Sequence, residues 1–265
     1  MTVATAFDRA RQEDRSALVG YLPAGFPDVD GGIEALRAMV EAGCDVIEVG
    51  LPYSDPVMDG PTIQTAAQRA LDGGVRTRDV LRTVEAVAAT GTPTLVMTYW
   101  NPVDRYGVDK FAADLAGAGG AGLITPDLTP DSAQDWIAAA DAHGLDKVFL
   151  VAPSSTDARI AMTTAACRGF VYATAVMGVT GARESTSDLA APLVARARST
   201  TDLPVAVGLG VGNGRQAAAV AAYADGVIVG SAFVRALLDH PDDRAGGLRA
   251  LTALTEDLAQ GVRAV

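Results

Sequence analysis

Three carboxyl groups, Glu48, Asp55 and Asp59, lie close together in the stretch V-I-E-V-G-L-P-Y-S-D-P-V-M-D-G-P, residues 46–61. V-I-E-V-G, closed by Gly-Leu-Pro, reads as a short buried strand. An unpaired carboxylate in a dry interior costs several kcal/mol or takes up a proton. Glu48 is therefore a candidate for proton chemistry. Prolines 52, 56 and 61 limit the wandering of the loop that follows, and Asp59-Gly60 suits a tight turn before a helix. Two carboxyls at one mouth in different environments allow one to act on protons while the other orients a substrate. The plainer alternatives are a strand-end Glu48 with its head in water, an Asp59 that caps the helix near Thr62, and an Asp55 that only makes a turn. Histidine cannot take the work. His143 precedes a turn glycine and His240 precedes Pro241, both at expected helix ends, so neither a Ser-His-Asp nor a metal site is expected.

What positions these residues is an alternation of short apolar runs with Ala-rich helical stretches. Strands are predicted at 17–22, 45–50, 93–98, 121–125, 146–151, 169–174, 203–208 and 225–230. Helical segments fall between them at 30–42, 62–72, 107–118, 131–143, 156–167, 187–198 and 213–223. Strands apolar on both faces, alternating with helices, indicate a parallel sheet, and eight of them close a barrel. A doubly wound open sheet is the rival. The expected architecture is α/β, a single-domain (β/α)8 TIM barrel over residues 1–265, with an additional N-terminal helix and an extra C-terminal helix from about 244. In such a barrel the site lies at the C-terminal strand ends. Period-two alternation turns Val46, Glu48 and Gly50 to the axis and Ile47 and Val49 to the helices.

Composition excludes several classes. With 21 basic against 32 acidic residues the formal charge is −11, which argues against nucleic acid as a partner. No apolar run is long enough to span a membrane, and the charged N-terminus lacks the apolar core of a signal peptide. Cys44 and Cys167 are far apart and without metal spacing, as expected of small buried thiols in a reducing cytosol. The acidic surface also means that an anionic substrate must be held by local dipoles.

Two glycine loops meet that need. V-G-L-G-V-G-N-G after strand seven carries Gly208 and Gly210, and V-G-S-A-F after strand eight carries Gly230 and Ser231 at the start of a helix. Backbone N–H groups and a helix N-terminus favour a phosphate there, as barrels often arrange. Asn213 and Arg215 stand where a dinucleotide fingerprint would need its third glycine.

The string E-V-G-L-P-Y-S-D-P-V-M-D-G-P-T-I-Q resembles the signature of the tryptophan synthase α subunit family. M-T-Y-W-N-P at 97–102, P-D-L at 126–128, M-G-V-T-G at 177–181 and the glycine loops follow in order, so the resemblance covers essentially the whole chain. It implies a cofactor-free retro-aldol cleavage of indole-3-glycerol phosphate to indole and glyceraldehyde 3-phosphate. In the family pattern Glu48 shuttles the protons, Asp59 accepts a hydrogen bond from the indole N–H, and Tyr172 is the supporting active-site tyrosine. Thr180 and Gly181 match a mobile lid, with Gly181 counted among the phosphate-binding glycines. An apolar slot for indole is expected from Tyr21, Ile63, Met97, Leu123, Leu150, Thr180, Leu209 and Ile228. The resemblance also implies a β subunit in an α2β2 heterotetramer, with pyridoxal phosphate only in that partner. Asp55, Pro56, Asn101 and Asp127 match the family's contact region.

The chain departs from many relatives at Phe26, Tyr53 and Met58, and in A-T-A-V-M after Tyr172, which lacks polar and basic residues. Two other enzymes with phosphate-binding barrels, an indole-glycerol phosphate synthase and a sugar-phosphate epimerase, are alternatives. The first needs a catalytic lysine, and Lys110 falls on a helix while Lys147 begins strand five facing outward. A free-standing indole-releasing lyase and a non-catalytic regulatory subunit complete the alternatives.

Overall fold

The structure is a computed structural model that describes residues 2–174, 189–208 and 210–264. Its strands are β1 (Ala17–Pro23), β2 (Val46–Gly50), β3 (Thr94–Met97), β4 (Gly122–Ile124), β5 (Asp146–Val148), β6 (Leu150–Val151), β7 (Val171–Thr174), β8 (Val205–Gly208) and β9 (Gly226–Val229). They pair in parallel in the order β5-β4-β3-β2-β1-β9-β8-β7-β6. β5 and β6 are one stave interrupted at Phe149, so the eight predicted staves form a ring that the chain itself closes at that residue. The fold is the expected TIM barrel.

Alternation divides the apolar residues into two layers. Val19, Val46, Leu95, Ile124, Val148, Ala206 and Ile228 pack inside the ring. Ile47, Val49, Val96, Leu123, Phe149, Val171, Val207 and Val227 pack outward against the helices. Between β2 and β3 the chain makes two helices. Thr77–Ala88 buries Val80, Val84 and Val87 at helical spacing and covers β2 and β3. Pro61–Asp72, in contrast, packs on β1 and on the helix Ser231–Leu238 at the catalytic side. A further short helix, Trp100–Tyr106, follows β3. The C-terminal helix Arg244–Gly261 lies over the helices Val29–Glu41, Gly214–Ala221 and Ser231–Leu238.

The end of the ring away from the candidate site is plugged by the first helix, Val3–Gln12, whose Thr2–Thr5 capping box satisfies its start. Val3, Ala6, Phe7 and Ala10 join the inner layer, and Phe7 meets Phe170 at 5.4 Å between ring centroids. Arg15 clamps this end: its guanidinium donates to both carboxylate oxygens of buried Asp45 at 2.7 and 2.9 Å, and the Leu18 N–H donates to the same group at 2.9 Å. Burial pushes the Asp45 carboxyl up, but the Arg15, Leu18 and Arg9 bonds outweigh it, and its pKa lies below the usual value.

Candidate active site

The C-terminal strand ends surround a cavity walled by Glu48, Asp59, Met58, Pro126, Thr174 and most of the residues expected there. Glu48 projects from β2 into it, paired in register with Tyr21 on β1 and Leu95 on β3. It is 0% exposed, and neither carboxyl oxygen has a hydrogen-bond partner among the described residues. Burial alone pushes its pKa up to about 8. A carboxyl in that condition holds a proton at neutral pH and can give it to a carbon or take one back.

Asp59 arrives on the loop after β2. It does not cap the next helix: the cap position of Pro61–Asp72 is Gly60, without a side-chain bond. Gln64 Nε2 instead donates to the Asp59 carbonyl at 2.7 Å, leaving the carboxyl to the cavity. Burial raises its pKa, opposed by a hydrogen bond from the Tyr99 hydroxyl. The Tyr21 and Tyr172 hydroxyls are both raised by burial and by the charges of Glu48 and Asp59, so both stand close to the pair and stay neutral. Each ring needs a bare backbone beside it. A Cβ at Gly50 would overlap the Tyr21 hydroxyl, and one at Gly208 the Tyr172 hydroxyl.

Gly208, Gly210, Gly230 and Ser231 meet on one wall. Gly210 has φ +77°, a backbone that glycine adopts without strain. The two helix starts on this side differ. At Gly214–Ala221 the Asn213 side chain accepts from Gln216 N, and the Gly214 N–H donates to Asp257. Ser231–Leu238 has no side-chain cap, so its first N–H groups are the ones able to take an anion.

Of the expected indole slot, Tyr21, Ile63, Met97, Leu150 and Ile228 line the cavity. Leu123 does not. β4 pairs with β3 so that Ile124 stands beside Met97, and Leu123 on the opposite face packs outward among the helices. Thr180, Gly181 and Leu209 lie outside the described residues. Asp55, Asn101 and Asp127 are exposed and Pro56 is half-buried, on the loops after β2 and β4 and, for Asn101, in the helix after β3. Lys110 is bound to Asp114 and Lys147 to Asp141, each at 2.5 Å, and neither lines the cavity.

Met58, Pro126, Thr174 and Tyr99 are site features that sequence reasoning passed over. Thr174 and Tyr99 carry a readable signal, since each follows an inward residue, Tyr172 or Met97, by two positions at a strand end. A second hollow at the plugged end is lined by Arg11, Arg15 and Arg198, but these pair with Asp8, Asp45 and Asp225.

Comparison with known proteins places this geometry in context. A family model described as tryptophan synthase alpha chain matches residues 7–263. A tryptophan synthase alpha chain from Salinispora arenicola is 67% identical over 98% of this chain and 97% of its own length. The corresponding protein of Acidothermus cellulolyticus is 63% identical over the same shares. Among solved structures, one of Mycobacterium tuberculosis tryptophan synthase superposes with a TM-score of 0.93 at 59% identity, covering 98% of both chains. The Legionella pneumophila alpha subunit superposes with a TM-score of 0.89 at 30% identity over all of both chains.

Proposed function

Because the chain belongs to the tryptophan synthase alpha chain family, and so is a carbon–carbon lyase cleaving indole-3-glycerol phosphate to indole and glyceraldehyde 3-phosphate, we propose that Glu48 and Asp59 divide the work of that cleavage. The Glu48 proton goes first to indole C3, taken up by the ring π electrons, and the bond from C3 to the glycerol carbon then breaks with its electron pair returning to the ring. The glycerol hydroxyl on that carbon loses its proton to the Glu48 carboxylate and becomes the aldehyde, so the acid is restored. Protonation at C3 puts positive charge on the ring nitrogen, and the Asp59 carboxylate accepts the N–H hydrogen bond and stabilises that charge. Tyr172 and Tyr21 donate from neutral hydroxyls at the wall, and Ile63, Met97, Leu150 and Ile228 hold the ring. The phosphate lies against Gly208, Gly210 and the uncapped start of Ser231–Leu238. Thr180, Gly181 and Leu209 belong to this reading as the lid and the remaining wall. No cofactor is required, since every proton is supplied and recovered by side chains.

The observation that carries the assignment is Glu48, fully buried and without a partner among the described residues, facing a cavity that Asp59 also enters. We read the chain as a cytoplasmic subunit that passes indole to a β subunit in an α2β2 assembly, with pyridoxal phosphate confined to that partner. The rim of Asp55, Pro56, Asn101 and Asp127 would dock. No described helix is long and apolar enough to cross a membrane.

The test is indole release from indole-3-glycerol phosphate, with and without a β subunit. Glu48→Gln should lower kcat about 10³-fold and Asp59→Asn about 10²-fold, and the β subunit should raise the wild-type rate. Wild-type turnover by Glu48→Gln would remove the role given to that residue. A rate indifferent to the β subunit would remove the docking.

A further inference from the structure

The loop from Leu51 to Gly60 has to deliver Asp59 to the cavity, and Tyr99 stands behind it. Tyr99 is 5% exposed, and its hydroxyl accepts from the Met58 N–H at 3.0 Å, the amide immediately before Asp59. The same hydroxyl bonds the Asp59 carboxyl. Its ring lies on Tyr53 of the same loop, with centroids 5.5 Å apart and planes inclined by 38°. Asn101 Nδ2 donates to the Tyr53 hydroxyl at 3.1 Å. Tyr99 also begins the helix Trp100–Tyr106, whose first N–H, on Trp100, donates to both Asp127 carboxylate oxygens at 2.9 and 3.1 Å.

We infer that Tyr99 is a positioning residue for Asp59, its hydroxyl holding the Met58–Asp59 segment at the cavity while its ring against Tyr53 and the helix it begins join that segment to Asn101 and Asp127 on the rim. The inference rests on the reading of Asp59 as the group that stabilises the indole ring charge. It assigns M-T-Y-W-N-P a task beyond resemblance: Met97 lines the cavity, and two residues on, Tyr99 sets the carboxyl opposite.

The electrostatic surroundings make the role measurable. Asp59 faces Tyr99 from the segment after β3, Tyr21 from β1 and Tyr172 from β7, and Glu48 lines the same cavity from β2. The three phenols stay neutral in the working range, Tyr99 being pushed up to about 12, chiefly by burial. The Tyr99 hydrogen bond is what counters burial at Asp59. Without it the carboxyl needs a higher pH to ionise.

Tyr99→Phe should therefore lower kcat about tenfold at neutral pH and move the acid limb of the kcat profile upward, with little change in thermal midpoint. In an Asp59→Asn background the same substitution should cost nothing further, because the two act as one unit. A Tyr99→Phe profile superimposable on wild type would overturn the inference. So would a tenfold loss that persists in the Asp59→Asn background, which would show that Tyr99 supports the loop without acting through Asp59. Wild-type activity of Asp59→Asn alone would instead sink the underlying reading of Asp59.

Discussion

Asp45 immediately precedes β2 and Glu48 is the middle residue of that strand, three positions on, and the protein treats the two carboxyls oppositely. At the plugged end, Asp45 is 3% exposed yet receives Arg15, Arg9 and the Leu18 amide. Its charge is matched there, and the group stays ionised. At the open end Glu48 is as deeply buried and has no described partner, so burial raises its pKa to about 8. One carboxyl has been satisfied for stability. The other has been left with unmet bonding capacity that a substrate can use, and that arrangement is paid for in folding free energy.

The contrast can be broken at either end. Asp45→Asn should destabilise the protein by about 3 kcal/mol, because the buried Arg15 guanidinium then keeps only the exposed Glu13 carboxylate as counter-charge. Its kcat/KM below the unfolding transition should be unchanged, since Asp45 lies opposite the cavity. A loss under about 1 kcal/mol would mean that the pair behaves as a surface salt bridge.

The pH dependence separates the two groups by sign. Asp45 has a lowered folded pKa, so its contribution is present above its unfolded value and is lost as pH falls through the folded one. Glu48 has a raised pKa, so its contribution is complete below 4.5 and is lost as pH rises through about 8. Urea unfolding at pH 5 and pH 8 should therefore show Glu48→Gln gaining about 3 kcal/mol on wild type between the two. Curves that keep a constant separation would show that Glu48 is not held protonated in the fold.

The smallest effect tests the face of β4. Leu123→Val should lower stability by about 1 kcal/mol and leave KM for indole-3-glycerol phosphate alone. A raised KM would return Leu123 to the substrate wall.

Much of the site could be read without coordinates because the barrel imposes period two on each stave. Knowing that Glu48 faces inward places Val46 and Gly50 with it, and Tyr172 brings Thr174. Leu123 went astray for the same reason: in a stave of three described residues buried on both faces, composition does not say which face is which. Only the pairing of Ile124 with Met97 resolves it. The phosphate side was visible as glycines, but their turns alone could not distinguish the self-capped start of Gly214–Ala221 from the uncapped start of Ser231–Leu238.

From its residues alone this chain determined the number of staves, the inward direction of Glu48, the absence of a usable histidine or lysine, and its family. Those follow from periodicity and residue type, which are local. Tertiary structure decided that Glu48 has no described partner while Asp45 has several, that Gly50 and Gly208 make room for tyrosine rings, and that Tyr99 reaches the Asp59 loop. Each of these depends on which side chain of another stave arrives at the same level of the ring. That is set by strand register and loop packing, and period-two alternation within one strand carries no record of it.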